Sequence, residues 1–403
     1  MSLQASNTVL SLLGKSAEEL RAVLESLGEP GYRGAQIYHS IYAERKFDFA
    51  AMTNLPAELR ERLARETAMT LPQIVRRHRS SDGTVRYVLA VSEGKPANIE
   101  TVFMPEENRQ TICISTQAGC AVECQFCLTA TLGLTRNLTA GEIVGQVLVA
   151  LEDNREASQE RQLAAENGEE CPQALKRKDG RPVMSELKLR PPKAPVAPAG
   201  PQRKQTNIVL MGQGEPLLNY DAVMAALRIL LDPKGVAIAP RHAALSTSGI
   251  IPGIERLAKE KVRPNLAISL NASSNEQRDK VMPINRKYPL EKLLEACRKY
   301  PLKPREWLLF EYVMLGGFND SPEDARRVVK LLANLRAKVN LIPWNPGDLP
   351  YERPDRARVE EFQRILIDKG VPCFIRDSRG QDVMAACGQL ALLETASASA
   401  HAP

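Results

Sequence analysis

Three cysteines raise the first chemical question. The run Gly119-Cys120-Ala121-Val122-Glu123-Cys124-Gln125-Phe126-Cys127 spaces three thiols as Cys-x-x-x-Cys-x-x-Cys. Thiolates are the usual ligands of iron–sulfur clusters, whereas a structural zinc almost always closes a tetrahedron with a fourth Cys or His. No His lies between His78 and His242, and Cys113 stands on a predicted strand, away from the loop. Three sulfurs on a four-iron cubane leave one iron corner open to the amino and carboxylate groups of a substrate. A cluster towards the reducing end of the protein range, about −700 mV, can pass an electron into a sulfonium. A structural zinc site, or plain buried thiols, is the competing reading.

Cys113 lies close to this loop in the sequence, while Cys171, Cys297, Cys373 and Cys387 are scattered. In a chain of 403 residues with no basic, apolar leader over Met1 to Gly14, eight cysteines point to metal ligands or reactive thiols rather than disulfides. No run approaches the roughly 18 apolar residues of a membrane helix. A cytoplasmic protein with no membrane association is therefore expected. The formal charge of +6, from 54 basic and 48 acidic residues, permits a polyanionic partner without identifying one.

Around these groups the sequence predicts a helical module, a short run of strands and an α/β barrel. Ser16-Ala17-Glu18-Glu19 is a capping box opening a helix through Leu27, and helical patterns follow at Ala35 to Glu44 and Ala57 to Glu66. Strands are expected at Ile74 to Arg77, Thr84 to Val91 and Asn98 to Met104, with a turn at Asp82-Gly83. Beyond Thr111, apolar strands alternate with helices: Ile112 to Ser115, Ile208 to Met211, Ala243 to Ser246, Leu266 to Leu270, Leu308 to Met314 and Val339 to Pro343. That rhythm implies a parallel sheet in an open or partial (β/α)6 barrel, with reactive residues at the carboxyl ends of its strands. The expected divisions are a helical domain over 1–70, linking β-strands over 71–105 and a barrel over 106–395. The Pro-, Lys- and Glu-rich stretch from Asp153 to Gln205 interrupts the barrel as a disordered insertion, and 396–403 form a frayed tail.

Phe126 before the last cysteine is similar to the radical S-adenosylmethionine signature. Beyond it, an ordered series of motifs narrows the resemblance: Ile99-Glu100-Thr101, Cys113, the cysteine loop, Arg136-Asn137-Leu138-Thr139, Met211 to Leu217, Leu245 to Gly249, Pro343-Trp344-Asn345-Pro346 and Ala385-Ala386-Cys387-Gly388-Gln389-Leu390. Together they resemble the RlmN family, dual-specificity ribosomal and transfer RNA adenine carbon-2 methyltransferases. Gly31 to Ile37 and Met52 to Leu55 also resemble that family's amino-terminal RNA-binding part.

The resemblance implies a radical S-adenosylmethionine partial (β/α)6 barrel holding a 4Fe-4S cluster on Cys120, Cys124 and Cys127. It implies S-adenosylmethionine contacts at Gly214, Glu215, Ser246, Ser269, Leu270, Asn271 and Asn345. The family's usual Ser-Leu-His here reads Ser269-Leu270-Asn271, and Asn cannot titrate near neutrality. Two molecules of S-adenosylmethionine per turnover are implied. One methylates Cys387, and the other yields the radical that activates the S-methyl group for addition to adenine. Glu100 is then implied as the proton acceptor, and Cys113 as the thiol that frees the product through a transient disulfide with Cys387.

The implied partners are 23S rRNA, tRNA and an external electron donor such as a flavodoxin system, acting on a monomer. Basic groups at Arg76 to Arg79, Arg136, Arg241 and Arg286-Lys287 are candidate RNA contacts or simply solvated faces. Two alternatives stand beside this reading. One is the related adenine carbon-8 methyltransferase; the other, of a different class, is a non-catalytic zinc-containing RNA-binding protein.

Overall fold

A computed structural model describes residues 10–166 and 204–390, excluding the side chains of 156–166. At its amino-terminal end Ser16 caps helix α1 (Ala17–Ser26): its hydroxyl accepts from the Glu19 N–H, while the Glu19 carboxylate accepts from the Ser16 N–H at 2.7 Å. Such a cap stabilises a helix by ~1 kcal/mol. Helices α2 (Tyr32–Tyr42) and α3 (Ala57–Glu66) complete the module. Its interior collects Leu20, Leu24, Ile37, Ile41, Leu59 and Leu63, all buried. Strand β1 (Leu10–Ser11) pairs in parallel with β2 (Thr67–Ala68), tying together the two ends of the module.

Strands β3 (Gln73–Arg79), β4 (Val85–Val91) and β5 (Ala97–Pro105) run antiparallel, and β5 continues antiparallel onto β6 (Arg109–Cys113). A small hairpin of β7 (Gln117–Gly119) and β8 (Leu134–Asn137) frames the cysteine loop and the short helix α4 (Leu128–Thr131). Then come α5 (Ala140–Glu166), β9 (Gln205–Leu210), α6 (Tyr220–Leu230), β10 (Ala243–Thr247), α7 (Ile251–Leu257), β11 (Asn265–Ser269), α8 (Asn275–Val281) and α9 (Leu290–Lys299). The chain closes with β12 (Leu308–Met314), α10 (Pro322–Leu331), β13 (Ala337–Pro343), α11 (Arg356–Asp368) and β14 (Cys373–Ile375).

One ten-stranded sheet results, in the order β14-β13-β12-β11-β10-β9-β6-β5-β4-β3. Its six expected barrel strands, β6 and β9 to β13, are mutually parallel, and β14 adds a seventh. The linking strands are therefore no separate connector. They extend the barrel sheet, because β5 pairs directly with β6. Ile112, Ile208, Leu245, Ile268, Phe310 and Val339 are buried along the strands, in one core with Val147, Leu227, Leu257 and Phe362 of the helices. Each such side chain contributes roughly 1.5–3 kcal/mol of burial, and this core fixes where the strand ends lie.

The expected disorder over 153–205 is corrected at both ends. Helix α5 continues to Glu166, and the Asp153 carboxylate accepts from Arg77 Nε at 2.9 Å and from the Tyr87 hydroxyl at 2.8 Å. Once a helix is nucleated, each added residue gains a hydrogen bond, so an Ala-, Glu- and Gln-rich continuation propagates it. Gln205 already belongs to β9, in register with Arg109. Residues 167–203, with Cys171, and the tail from 391 lie outside the described residues. Among the described residues no helix is long and apolar enough to cross a membrane.

Candidate active site

The cysteine loop leaves β7 at Gly119 and returns through β8. Gly119 has φ +81°, and a Cβ there would stand 1.8 Å from the Gly133 carbonyl oxygen, so the two arms of the hairpin approach as only glycine allows. Between them the loop presents Cys120, Cys124 and Cys127 to a cleft that is partly open to solvent. Burial raises the Cys120 thiol to about 11 and the Cys124 thiol well above its ordinary value, and the neighbouring loop cysteines act in the same direction. Among the described residues no three His, Cys, Asp or Glu side chains gather as a single-ion site. Cys120, Cys124 and Cys127 all line the cleft, an all-sulfur donor set of the kind an iron–sulfur cluster takes.

Opposite the loop, the ends of β9 to β13 supply the remaining walls. Gly214 has φ +98°, and a Cβ there would lie 2.5 Å from Gln117 Cβ. This close approach seats Glu215, whose N–H donates to Gln117 Oε1 at 2.8 Å. The Glu215 carboxylate is buried and accepts the N–H groups of Leu217 at 3.0 Å and Ser248 at 2.7 Å, stitching the loop after β9 to the loop after β10. Burial nevertheless raises its pKa. A carboxylate has about four lone-pair sites, so accepting capacity remains for a ligand's ammonium. Ser246 and Ser269 stand side by side in the cleft with hydroxyls 3.4 Å apart.

Asn271 also lines the cleft, at φ +56°, a left-handed conformation that Asn adopts more readily than most residues. Its Oδ1 accepts from the Val313 N–H at 2.8 Å and its Nδ2 donates to Met282 Sδ at 3.4 Å. The amide thus braces the loop after β11 against β12. Asn345 is buried, with Nδ2 donating to the Cys387 carbonyl at 3.5 Å, so it steadies the segment that carries Cys387. That segment is fixed upstream by Asp382, which accepts from Ser80 Oγ at 2.5 Å and the Ser81 N–H at 3.0 Å. Downstream, the Gly388 carbonyl accepts from the Leu128 N–H at 2.8 Å. Cys387 itself is exposed at the cleft. Protein mass around that opening, together with Glu311 and Cys127, pushes its thiol up to about 11.

Three expected site residues do not line the cleft. Cys113 is buried in a separate apolar cluster with Val102, Ala385 and Leu390, and burial raises its thiol. Met211 belongs to the rim of that cluster and also to the cleft wall, so Cys113 sits one side chain behind the wall. Glu100 is buried on β5, ion-paired with the fully buried Arg86 of β4, and Gln213 Nε2 approaches its Oε2 at 3.5 Å. Leu270 turns its side chain into the main core, and its carbonyl accepts from Arg278 Nε at 3.1 Å.

Arg86, Arg278 and Glu311 escape sequence reasoning. Arg278 is fully buried; besides Leu270 it donates to the carbonyls of Ser248 at 2.6 Å and Ser269 at 3.0 Å and to Asn285 Oδ1 at 3.1 Å, and burial lowers its pKa to about 10. It ties together the loops after β10 and β11. Glu311 lines the cleft, buried at 7 % exposure, with Asn340 Nδ2 donating to its Oε1 at 2.9 Å. The available signal was a lone charge inside an apolar strand, Arg86 in Val85 to Val91 and Glu311 in Leu308 to Met314. Arg136, read as a possible RNA contact, instead grips both oxygens of Glu142 at 2.7 Å. Arg77 and Arg79 pair with Asp153.

Comparison with known proteins agrees with this architecture. The family described as "Ribosomal RNA large subunit methyltransferase N-terminal domain" matches residues 10–69, and the radical SAM superfamily matches residues 186–332. The chain is 44% identical over 384 residues to the "Probable dual-specificity RNA methyltransferase RlmN" of Koribacter versatilis, covering 91% of this chain and 97% of that one. It is 42% identical to the dual-specificity RNA methyltransferase RlmN of Rhodospirillum rubrum, covering 97% and 82% respectively. A crystal structure of a radical SAM methyltransferase from Sphaerobacter thermophilus superposes with a TM-score of 0.79 at 38% identity, over 94% of this chain and 98% of that one. Membership of the radical SAM superfamily implies a 4Fe-4S cluster and S-adenosylmethionine. The chain thus belongs to the RlmN family and is an S-adenosylmethionine-dependent RNA methyltransferase.

Proposed function

We propose that this enzyme makes 2-methyladenosine in 23S rRNA and in tRNA, through an S-methylated Cys387 and a transient covalent RNA adduct. The observation that carries this reading is the placement of one segment. Cys387 opens onto the cleft that holds the three loop cysteines, while its neighbours Ala385 and Leu390 pack on Cys113 behind the wall.

In this reading Cys120, Cys124 and Cys127 would hold the cluster, and S-adenosylmethionine would bind beside it. Gly214, Glu215, Ser246, Ser269, Asn271 and Asn345 shape the remainder of that molecule's site, with Leu270 contributing through its backbone. Bound there, the cluster and S-adenosylmethionine supply reductive cleavage of a sulfonium to a carbon radical. Ring carbons of the adenine amidine type are poor nucleophiles, which excludes simple displacement of a methyl cation. A thiolate is a good one, so Cys387 takes the methyl group first.

After loss of one hydrogen, the methylene on Cys387 adds to adenine carbon 2. Glu100 is the proposed acceptor of the ring proton, which has to reach it from the cleft because its carboxylate lies behind the wall, paired with Arg86. The Cys113 thiol then attacks the Cys387 sulfur: an S–S bond forms as the carbon–sulfur bond to the base breaks, the thiol's proton completes the methyl group, and the unpaired electron left on the ring passes to the electron-transfer system, leaving the protein with a disulfide. An external reductant, such as a flavodoxin system, restores the thiols and the cluster. Extrusion of the base into the cleft suits folded RNA with loops or bulges.

Nucleoside mass spectrometry of both RNA classes after anaerobic reaction tests the assignment. 2-Methyladenosine is expected in each; recovery of 8-methyladenosine instead would transfer the chain to the carbon-8 chemistry.

A further inference from the structure

Glu311 has no part in the reaction described so far, although it is one of two carboxylates on the cleft wall. The other, Glu215, binds backbone N–H groups with both oxygens. Glu311 differs. Asn340 Nδ2 occupies Oε1, and among the described residues Oε2 has no protein hydrogen bond. Around it the cleft wall combines the apolar Leu210, Met211, Val313 and Ile342 with the hydroxyl of Ser269, its register partner on β11. Oε2 is thus open to the cleft, the one free hydrogen-bonding position of an otherwise buried carboxyl group, placed for a ligand to pair with.

Location indicates which ligand. Glu311 is the first charged group felt by the Cys387 thiol, ahead of Cys127. Both residues line the same cleft, so Glu311 faces the region where a base must sit to meet a carbon attached to the Cys387 sulfur. The carbon to be methylated in adenine is flanked on both sides by ring nitrogens, each a hydrogen-bond acceptor. We propose that Glu311, in its neutral form, donates a hydrogen bond from Oε2 to a ring nitrogen beside that carbon and is a catalytic residue of the addition step. The proposal deepens the reading that Cys387 carries the methyl group, and rests on it.

Burial pushes the Glu311 carboxyl up to about 7, against the opposing effects of Asn340 and the Arg376 charge, so the proton-bearing form is available at neutral pH. With Asn340 on one oxygen, that proton belongs on the other. The chemistry favours a donor here. A carbon radical next to sulfur is electron-rich, and it adds fastest to a ring made electron-poor. In the addition, a carbon–carbon bond forms from the unpaired electron and one electron of the carbon–nitrogen π bond. The remaining electron stays on the ring, with density on the hydrogen-bonded nitrogen. No proton or electron enters or leaves at this step, so Glu311 stabilises developing charge as oxyanion-hole donors do.

The test is an anaerobic single-turnover reaction of the cluster-loaded enzyme with an RNA fragment. Two quantities are followed, methyl on Cys387 by peptide mass spectrometry and the covalent RNA adduct on gels. Glu311→Met should methylate Cys387 normally, which also reports an intact site, yet form adduct about a hundred-fold more slowly, the usual cost of removing one such donor. Glu311→Gln keeps an N–H donor and should restore adduct formation to within about ten-fold of the parent. RNA in which the target adenine carries CH in place of ring nitrogen 1 or 3 should slow the parent but not Glu311→Met, for one of the two positions. Equal rates for Met and parent, or a Gln variant as slow as Met, overturns the proposal. Loss of Cys387 methylation in both variants overturns it in favour of a base acting on the thiol. If the parent enzyme shows no methyl on Cys387, the underlying reading fails as well.

Discussion

The cysteine loop and the β4–β6 side of the sheet both carry reactive groups, but they are built in opposite ways. The loop draws Cys120, Cys124 and Cys127 from one short run and exposes them to the cleft. The β4–β6 side draws Arg86, Glu100 and Cys113 from three strands and seals them away from it. A group that binds a diffusible partner has to be open; in the proposed reaction Cys113 acts only after the adduct has formed, and a thiol used so late is better kept from premature oxidation. The segment bearing Cys387 is the physical link between the two regions.

The largest effect should come from breaking the open region. Cys124→Ala is expected to lose iron and sulfide, about four irons per chain in the parent, and with them all turnover; iron analysis of anaerobically reconstituted protein checks this. Cys113→Ala should keep its iron. If it lost iron equally, the loop and the sealed thiol would be one site and the contrast would collapse.

Next comes the division of labour between the two thiols. Cys387→Ala should abolish methylation, while Cys113→Ala should accumulate RNA crosslinked to protein, visible on denaturing gels. Normal turnover by Cys113→Ala without adduct would refute its role in release.

Breaking the sealed region should be felt in stability. Arg86→Met leaves the Glu100 carboxylate buried without its guanidinium, a loss of about 3–5 kcal/mol, measurable by urea denaturation. Adding Glu100→Gln should recover most of that loss, because removing both charges is far less costly than removing one. An equal loss in the double variant would mean that Arg86 acts through packing alone.

The smallest effect sharpens the contrast between two buried glutamates, Glu100 beside a cation and Glu311 beside an amide. The folded-state pKa of Glu311 is raised from 4.5 to about 7, so the folded protein binds more protons than the unfolded chain between those values. Stability therefore falls as pH rises through that window. Glu311→Gln should melt higher than the parent at pH 8, with the gap closing below about pH 5. A gap independent of pH would show that Glu311 is not buried as a strained charge.

Much of the fold was legible because its signals are local. The Ser16 capping box, helix α3 and strand β12 appear where periodicity and capping residues placed them. The hairpin of β7 and β8 was missed, since strands of three and four residues on either side of the cysteine loop are too short to show alternation. The extension of α5 to Glu166 was hidden by the polar, proline-rich composition that follows it.

The candidate site divides along the same line. Spacing within one loop was enough to mark Cys120, Cys124 and Cys127, and ordered motifs marked Gly214, Glu215 and Cys387. Nothing local could show that Cys113 lies behind Met211, that Arg86 neutralises Glu100, or that Arg278 holds two loops by their carbonyls. A side chain's own type and near neighbours fix which bonds it is able to make, and these are written in the sequence. Which partner it meets, and whether water reaches it, depends on strands brought together from distant parts of the chain; for Glu311 those circumstances decide between a solvated acid and a proton donor.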